Sequence, residues 1–458
     1  MVTATTTLEP DAPTSTRRER TGWYFYDWAN SAYQTTVVAV FLGPYVIGSV
    51  KAAAGCQTDE ACRTATVDVL GADLAAGAYY PAVLAVAVVL NVLLLPVVGA
   101  IADRSAHKRR LLAATAFTGA AATVGIGAVA PQRYLLLGAL VVLATMAFAA
   151  SIVVYNSFLP QLVTEEQRDK VSSVGWAIGY LGGGLLLLLN LVALQLFEDR
   201  YGTGTLARWS IVSAGVWWAV FTLLPLRWLR DRPPVDVVPV TGSVLTQGFT
   251  QLWHTVRHLR AYPLTLFFLL AYLVYNDGIQ TVISQASVYG TEELKLDQST
   301  LVVTILVVQF LAFFGALALG WLAERFGAWK TVLGSLVLWT VIVLAAFRLP
   351  ASAPLPFMAL GAAIGVVLGG TQALSRSLFS QMIPRGREAE YFGFYEISDK
   401  GTSWLGPAVF ALVFQLTASY RAGLVSVVVF FAVGFLLLLA VPVRRAILAA
   451  GNTPRHVL

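Results

Sequence analysis

Three polar residues recur at helical spacing in an otherwise apolar and aromatic stretch near the start of the chain. They are Asp27, Asn30 and Gln34, within Tyr24-Phe-Tyr-Asp-Trp-Ala-Asn-Ser-Ala-Tyr-Gln-Thr-Thr36. Spacings of three and four put them on one helix face. A second group, Asn276, Asp277 and Gln280, falls in Tyr275-Asn-Asp-Gly-Ile-Gln-Thr281. A third comprises Thr371, Gln372 and Arg376, with Glu396, Asp399 and Lys400 about 20 residues later. Glu396 and Lys400 are four apart and can pair on one helix face. Arg376 and Asp399 are candidates to pair between helices. A charge at the centre of a bilayer costs at least about 2.5–3.5 kcal/mol, so such residues must face water, a partner or a ligand. Asn30, Gln34, Asn276, Asp277 and Gln280 are the candidate substrate-binding set. Asp277 is the deepest carboxylate by length, and two readings of it stand: a strut bonded to helix ends, or a site for a substrate ammonium or a proton. The amides and Arg376 would take the carboxylate of a zwitterion. Asp27 lies about one turn inside the membrane and reads as a gate residue, as do Arg376, Glu396, Asp399 and Lys400.

Other chemistries find no support. No nucleophile, base and oxyanion donor converge, so an enzyme is not expected. No glycine loop suited to ATP phosphates occurs, and neither a cofactor nor a metal is implied. The four histidines, His107, His254, His258 and His456, fall in loops or tails, away from any intramembrane proton relay.

The elements that must position these residues are long and apolar. The chain has 458 residues, of which 57% are hydrophobic and only 12% charged, with mean hydropathy +0.71. A soluble domain is nearer a quarter charged, so the composition defines a polytopic membrane protein. Twelve apolar stretches of about 20 residues or more, each long enough to cross a bilayer, run from Trp23-Tyr24 to about residue 443. The fold class expected is all-α, with twelve transmembrane helices in two pseudo-symmetric six-helix halves. The divisions are a disordered basic tail (1–21), a first half (22–229), a connector (230–262), a second half (263–445) and a short tail (446–458). In the connector, Leu245, Phe249, Leu252, Val256 and Leu259 recur at helical spacing, which predicts a helix on the membrane surface or on the protein's own underside.

The two halves announce themselves in a repeat. Gly99-Ala-Ile-Ala-Asp-Arg-Ser-Ala-His-Lys-Arg-Arg110 packs one acid and four bases between two apolar runs. About half a chain later stands Gly320-Trp-Leu-Ala-Glu-Arg-Phe-Gly-Ala-Trp-Lys330. Glycine, small residue, acid, arginine and base return in order, as an internal duplication predicts. Asp103, Arg104, Glu324 and Arg325 are the charged members and join the gate candidates. Most Lys and Arg fall on the side of the N-terminus, so the positive-inside rule makes both termini cytoplasmic in a bacterial plasma membrane. The net charge of +6 belongs to these loops and implies no nucleic-acid partner. The partners implied are a small solute, with or without a coupled proton, and the bilayer, for a monomeric protein. Cys56 and Cys62, the only cysteines, fall in an outer loop, where a disulfide and two free thiols are both open. Glycine ladders at 175, 179 and 183 and at 361, 365 and 369 allow close helix approach, for static packing or for sliding.

The repeated loop resembles that between the second and third helices of the major facilitator superfamily and its degenerate copy between the eighth and ninth, with Ala106 in place of the usual glycine. A closer resemblance is carried by Tyr26-Asp-Trp-Ala-Asn-Ser-Ala32, Gly179-Tyr-Leu-Gly-Gly-Gly184, Tyr275–Thr281 and Gly370-Thr-Gln-Ala-Leu-Ser-Arg-Ser377. These are similar to one branch of that superfamily, the branch of the autophagy-associated vacuolar amino-acid effluxer, whose bacterial members form the "unknown major facilitator" family. The likeness covers residues 22–445. It implies the twelve-helix rocker fold, alternating access and, in the fungal member, amino-acid efflux. It also implies that Asp103 meets the start of the eleventh helix when the cytoplasmic side is closed, and that Glu324 does likewise at the fifth. A non-transporting scaffold or sensor on the same fold is the alternative, which the polar residues at mid-membrane disfavour.

Overall fold

The computed structural model describes residues 15–56, 65–130, 132–233, 261–400, 405–417, 419–455 and 457. Among the described residues, eleven helices are long and apolar enough to cross a membrane. They are Arg17–Ala53, Tyr79–Arg104, Lys108–Ala128, Tyr134–Leu162, Glu165–Tyr201, Thr203–Trp228, Pro263–Ala286, Ser299–Phe326, Ala328–Phe347, Pro354–Gln381 and Tyr420–Ala440. Between the last two lie the shorter helices Glu388–Lys400 and Leu405–Thr417. These two occupy the eleventh position of the expected twelve, so the spans are numbered here one to twelve. The connector helix expected over 245–259 lies outside the described residues, as do residues 1–14 of the N-terminal tail.

Span one begins earlier than its apolar run suggests. Thr16 caps it in a reciprocal box with Glu19, which satisfies two otherwise orphaned backbone donors. Its middle, Tyr33–Phe41, is wound as a π-helix where Thr35, Thr36, Val37 and Val38 crowd β-branched side chains together. Spans two and three are joined by three residues, which makes them antiparallel neighbours. Span eight opens on Asp297, whose carboxylate accepts the Thr300 N–H. The hydroxyls of Ser299 and Thr300 hold that carboxyl down to about 2. The loop after span one carries an unforeseen hairpin, Thr66–Val69 paired with Ala72–Ala75. Its two-residue turn, Leu70-Gly71, has both φ positive, the conformation that matches strand twist. Cys56 is disulfide-bonded; the chain's one other cysteine, Cys62, lies outside the described residues.

The buried apolar side chains form two clusters. One is drawn from residues 23–229 with Ala389, and the other from residues 268–447. Each half therefore has its own core, and the halves meet along a seam. Both glycine motifs sit on that seam. A Cβ on Gly99 would lie 2.5 Å from the Ala389 carbonyl oxygen, where span two crosses the start of the eleventh-position helix. A Cβ on Gly320 would lie 2.6 Å from the Ser173 Cβ, where span eight crosses span five. The repeated motif thus places a glycine at two equivalent inter-half crossings. The end of the bundle bearing these loops is called the basic end below, and the opposite end the hairpin end.

Candidate substrate cavity and gate

A cavity of about 750 Å³ lies between the halves. It extends from Asp27, Asn156, Arg376 and Glu396 toward Tyr80, Tyr289 and Leu424 at the hairpin end. Its wall includes Asn30, Gln34 and Gln280. Gln34 belongs to the π-helical stretch, which turns Gln34, Thr35, Val38 and Ala39 into the cavity. Aliphatic side chains such as Ile305, Val308, Ile364 and Leu368 supply much of the rest, with aromatic rings from Trp176 and Tyr180 of span five and Tyr272 of span seven.

Asn276 and Asp277 do not line it. Asn276, fully buried, donates to Asp399 Oδ1 at 2.8 Å and accepts from Gln372 Nε2 at 2.8 Å. Asp277 is turned to the other side of span seven. Its Oδ2 accepts the Gly406 N–H at 2.6 Å, at the first turn of helix Leu405–Thr417. That is a capping interaction, and the strut reading of Asp277 describes it. Gln280 is three residues beyond Asp277, but the two side chains flank different neighbours, and only Gln280 reaches the cavity.

The cavity floor at the basic end is built on Arg376. Its Nε donates to Ser172 Oγ at 2.9 Å, and Nη2 to the Ser172 carbonyl at 3.0 Å. Nη1 donates to Asn156 Oδ1 at 3.3 Å, and both terminal nitrogens reach Asp27 Oδ2 at 3.4 Å. All five donors of the guanidinium are engaged. The side chain also lies over the rings of Trp23, Tyr155 and Trp176, with centroids 4.8, 5.7 and 5.4 Å away. Asp27 Oδ2 accepts the Tyr155 hydroxyl at 2.6 Å. Asn156 continues the network by donating to Glu396 Oε1 at 3.2 Å. Arg376 therefore pairs with Asp27 across the halves and not with Asp399, as expected from the sequence. Asp399 instead accepts from Tyr272 at 3.0 Å and from Asn276. Arg376 faces spans one, four and five, while Asp399 faces span seven. The side chain of Lys400 lies outside the described residues, and so does its expected pairing with Glu396.

Below the floor, spans five and ten are laced together. Ser172 Oγ donates to the Ala373 carbonyl at 2.7 Å, Ser377 Oγ to Asp169 Oδ1 at 2.6 Å, and Arg168 Nη1 to the Ser380 carbonyl at 2.9 Å. Arg455, from the C-terminal tail, pairs with Asp169. Gly175 borders this seam, because a Cβ there would sit 3.2 Å from Arg376 Nη2 of span ten and 2.7 Å from Asp27 Oδ2. Both glycine ladders are packing surfaces in this state: 175, 179 and 183 against span one, and 361, 365 and 369 against span eight.

The second closure is at Asp103. Its carboxylate accepts the N–H groups of Ala389 at 2.9 Å and Glu390 at 2.8 Å, and Lys108 Nζ stands at 3.3 Å. The acid sits at the positive end of helix Glu388–Lys400, a placement worth about 0.3–1 kcal/mol and up to about 2 when partly buried. Its counterpart differs. Glu324 meets the Lys170 side chain of span five at 3.5 Å, and both are substantially exposed. Arg104 is exposed at the same rim, and Arg325 lies near the rings of Trp321 and Phe326. The strength of the two copies is unequal because only Asp103 reaches buried backbone donors.

Sequence reading passed over Tyr155, Asn156, Asp169 and Ser172. The cost of polar groups in an apolar span, applied to Asp27, applies equally to Tyr155-Asn156 at the end of the very apolar span four, and would have found them.

Twelve helical positions in two halves around a central cavity, with the inter-half seam at the repeated glycine loops, define a transporter of the major facilitator class. The solved structures agree. One bacterial homologue of the iron transporter ferroportin matches with TM-score 0.63 at 14% identity, covering 92% of this chain and 98% of that one. Residues 15–451 match the family described as "Vacuole effluxer Atg22 like", and the chain belongs to that family. The uncharacterized MFS-type transporter YxiO of Bacillus subtilis is 27% identical over 93% of this chain and 95% of its own length. Autophagy-related protein 22-1 of Penicillium rubens is 24% identical over 94% and 91%. The chain is a multi-pass membrane protein.

Proposed function

We propose that the protein is a secondary transporter that moves a small polar organic solute, an amino acid being the best fit, across a bacterial plasma membrane by alternating access. The family's effluxer description favours outward movement, and the basic end would face the cytoplasm by the positive-inside rule. One observation carries the reading: the inter-half cavity ends on a buried Asp27–Arg376 pair that joins the two halves. The pair couples a ligand to a gate. Asp27 holds Arg376 through a single oxygen at 3.4 Å, whereas a bidentate carboxylate makes two bonds of about 2.7–2.9 Å. A solute carboxylate entering the cavity displaces Asp27 and loosens the floor. Glu396 and Asp399 supply negative charge for its ammonium, and Asn30, Gln34 and Gln280 hold its polar flanks. Residues 22–229 and 263–445 would then rock as two bodies about the solute.

The test is purified protein in proteoliposomes loaded with a mixture of amino acids and challenged with labelled ones. Exchange of at least one amino acid is expected, with no exchange of its decarboxylated amine and none by Arg376→Lys. Lack of exchange for every amino acid by folded protein, or exchange of the amine as readily, would reject the solute class.

A further inference from the structure

A second pocket, of about 880 Å³, opens at the basic end beside the C-terminus. It lies where span nine begins and span twelve ends, against the short helix Val443–Ala449. Four bases line it: Lys330, Arg444, Arg445 and Arg455. Arg455 is committed to Asp169. The other three have no ion-pair partner among the described residues, and all three are exposed. Helix Val443–Ala449 explains their placement. Val443, Ala446 and Ile447 are buried, so Arg444 and Arg445 must project from the other side. The pocket is also apolar in part. Trp329 lines it, its indole N–H tied to the Leu438 carbonyl at 2.9 Å, and so do Leu439 and Leu448, which are 49% and 57% exposed.

We infer that this pocket holds the phosphate-bearing headgroup of an anionic phospholipid. The ligand must be anionic, because three uncompensated cations converge on it. Guanidinium pairs suit phosphoryl oxygens, which accept two charge-assisted bonds each. It must also have an apolar part, because leucines exposed beside arginines at the last turn of a span meet acyl chains and not water. Basic pockets between helices at this level of a membrane recognise anionic headgroups, and a tryptophan marks the same interface. A free phosphate shares the headgroup chemistry but leaves Leu439 and Leu448 unexplained. The inference does not depend on which solute is carried.

The experiment uses the full chain, purified and stripped of lipid in detergent. It is offered phosphatidylglycerol, phosphatidylcholine or inorganic phosphate, and bound lipid is read by native mass spectrometry alongside the melting temperature. Phosphatidylglycerol should be retained and should raise the melting temperature, with phosphatidylcholine and phosphate doing neither. Each of Lys330→Gln, Arg444→Gln and Arg445→Gln should weaken retention by about fivefold, the share of one base near an anionic surface. These three side chains make no hydrogen bond or ion pair among the described residues, so the unliganded melting temperature should not move. If a combined variant fails to fold, the single ones still decide. Equal retention by the variants, or of phosphatidylcholine, would overturn the inference. Inorganic phosphate binding as tightly as the lipid would overturn the lipid assignment and leave an anion site.

Discussion

At the scale of single residues, burial decides which of the polar groups can do what. Asp27 and Arg376 form a buried ion pair across the halves at the cavity floor, and removing one partner of a buried pair costs about 3–5 kcal/mol. That cost falls on the state in which the pair is buried. Asp27→Asn should therefore shift the protein away from closure at the basic end, by a factor of ten for each ~1.4 kcal/mol. A suitable reporter is Ser173→Cys, because Ser173 is 2% exposed on the seam facing Gly320 and the oxidised native cysteine does not compete for maleimide. Labelling of that thiol should rise at least roughly tenfold in Asp27→Asn; an unchanged rate would assign the pair a passive role. Asp277 carries the opposite expectation. It accepts a helix-end N–H outside the cavity, so Asp277→Asn should leave transport near the wild-type rate. The melting temperature should drop by the equivalent of about 0.5–2 kcal/mol, the range for a lost cap. Abolished transport with unchanged melting would return Asp277 to the solute site. The contrast shows what residue patterns convey. The cost of polar groups in apolar spans found Asp27, Asn30, Gln34, Gln280 and Arg376, all of which line the cavity. It could not separate Gln280 from Asp277, because which side of span seven meets the cavity depends on neighbours hundreds of residues away.

At the scale of elements, a glycine of the repeated loop stands at two crossings of the seam, Gly99 against the Ala389 backbone and Gly320 against the Ser173 side chain. The spacing of glycine, acid and bases made the repeat legible, and composition made the spans legible. Nothing local foretold the π-helical winding of Tyr33–Phe41, the hairpin, or the lacing of Arg168, Asp169 and Ser172 to Ala373, Ser377 and Ser380. That lacing joins Arg168 and Ser172 to carbonyls and Asp169 to a hydroxyl across the halves, and such pairs leave no pattern in either helix alone. The two copies predict unequal variants. Asp103→Ala deprives two buried N–H groups of their acceptor and leaves Lys108, 3% exposed, without a counter-charge. An unsatisfied buried donor costs about 1–3 kcal/mol. Glu324→Ala removes only an exposed pair with Lys170, worth about 0–1 kcal/mol. Asp103→Ala should thus raise Ser173→Cys labelling well above the level of Glu324→Ala; equal effects would contradict the asymmetry. Gly99→Val is more severe, since its side chain would enter the space of the Ala389 carbonyl. It should hold the basic end open and stop transport while the protein still reconstitutes as a monodisperse species.

At the scale of the molecule, the halves are joined at the basic end by side-chain bonds and separated by the cavity toward the hairpin end. Orientation in the cell follows a simple expectation: after reduction, Cys56 should react with an impermeant maleimide on intact cells, and labelling confined to inverted vesicles would reverse the assignment. The same polarity gives the C-terminal tail a role that neither half could supply. Asn452 donates to the carbonyls of Gln381 and Ile383 at 2.9 and 2.7 Å, which anchors the tail to the end of span ten. Three residues on, Arg455 reaches Asp169 of span five in the other half. The tail is a strap across the seam, and Asp169 is fully buried beneath it. Arg455→Ala leaves that carboxylate with the Ser377 hydroxyl but no direct ion-pair partner, so the closed state should lose stability and Ser173→Cys labelling should rise. Asp169→Asn in the same chain removes the stranded charge. Because a neutral buried group is far cheaper than an uncompensated one, the double variant should label more slowly than Arg455→Ala alone. This non-additivity is what a direct pair predicts and two independent sites do not. Additive effects, or labelling indifferent to Arg455, would show that the tail rests on the seam without holding it.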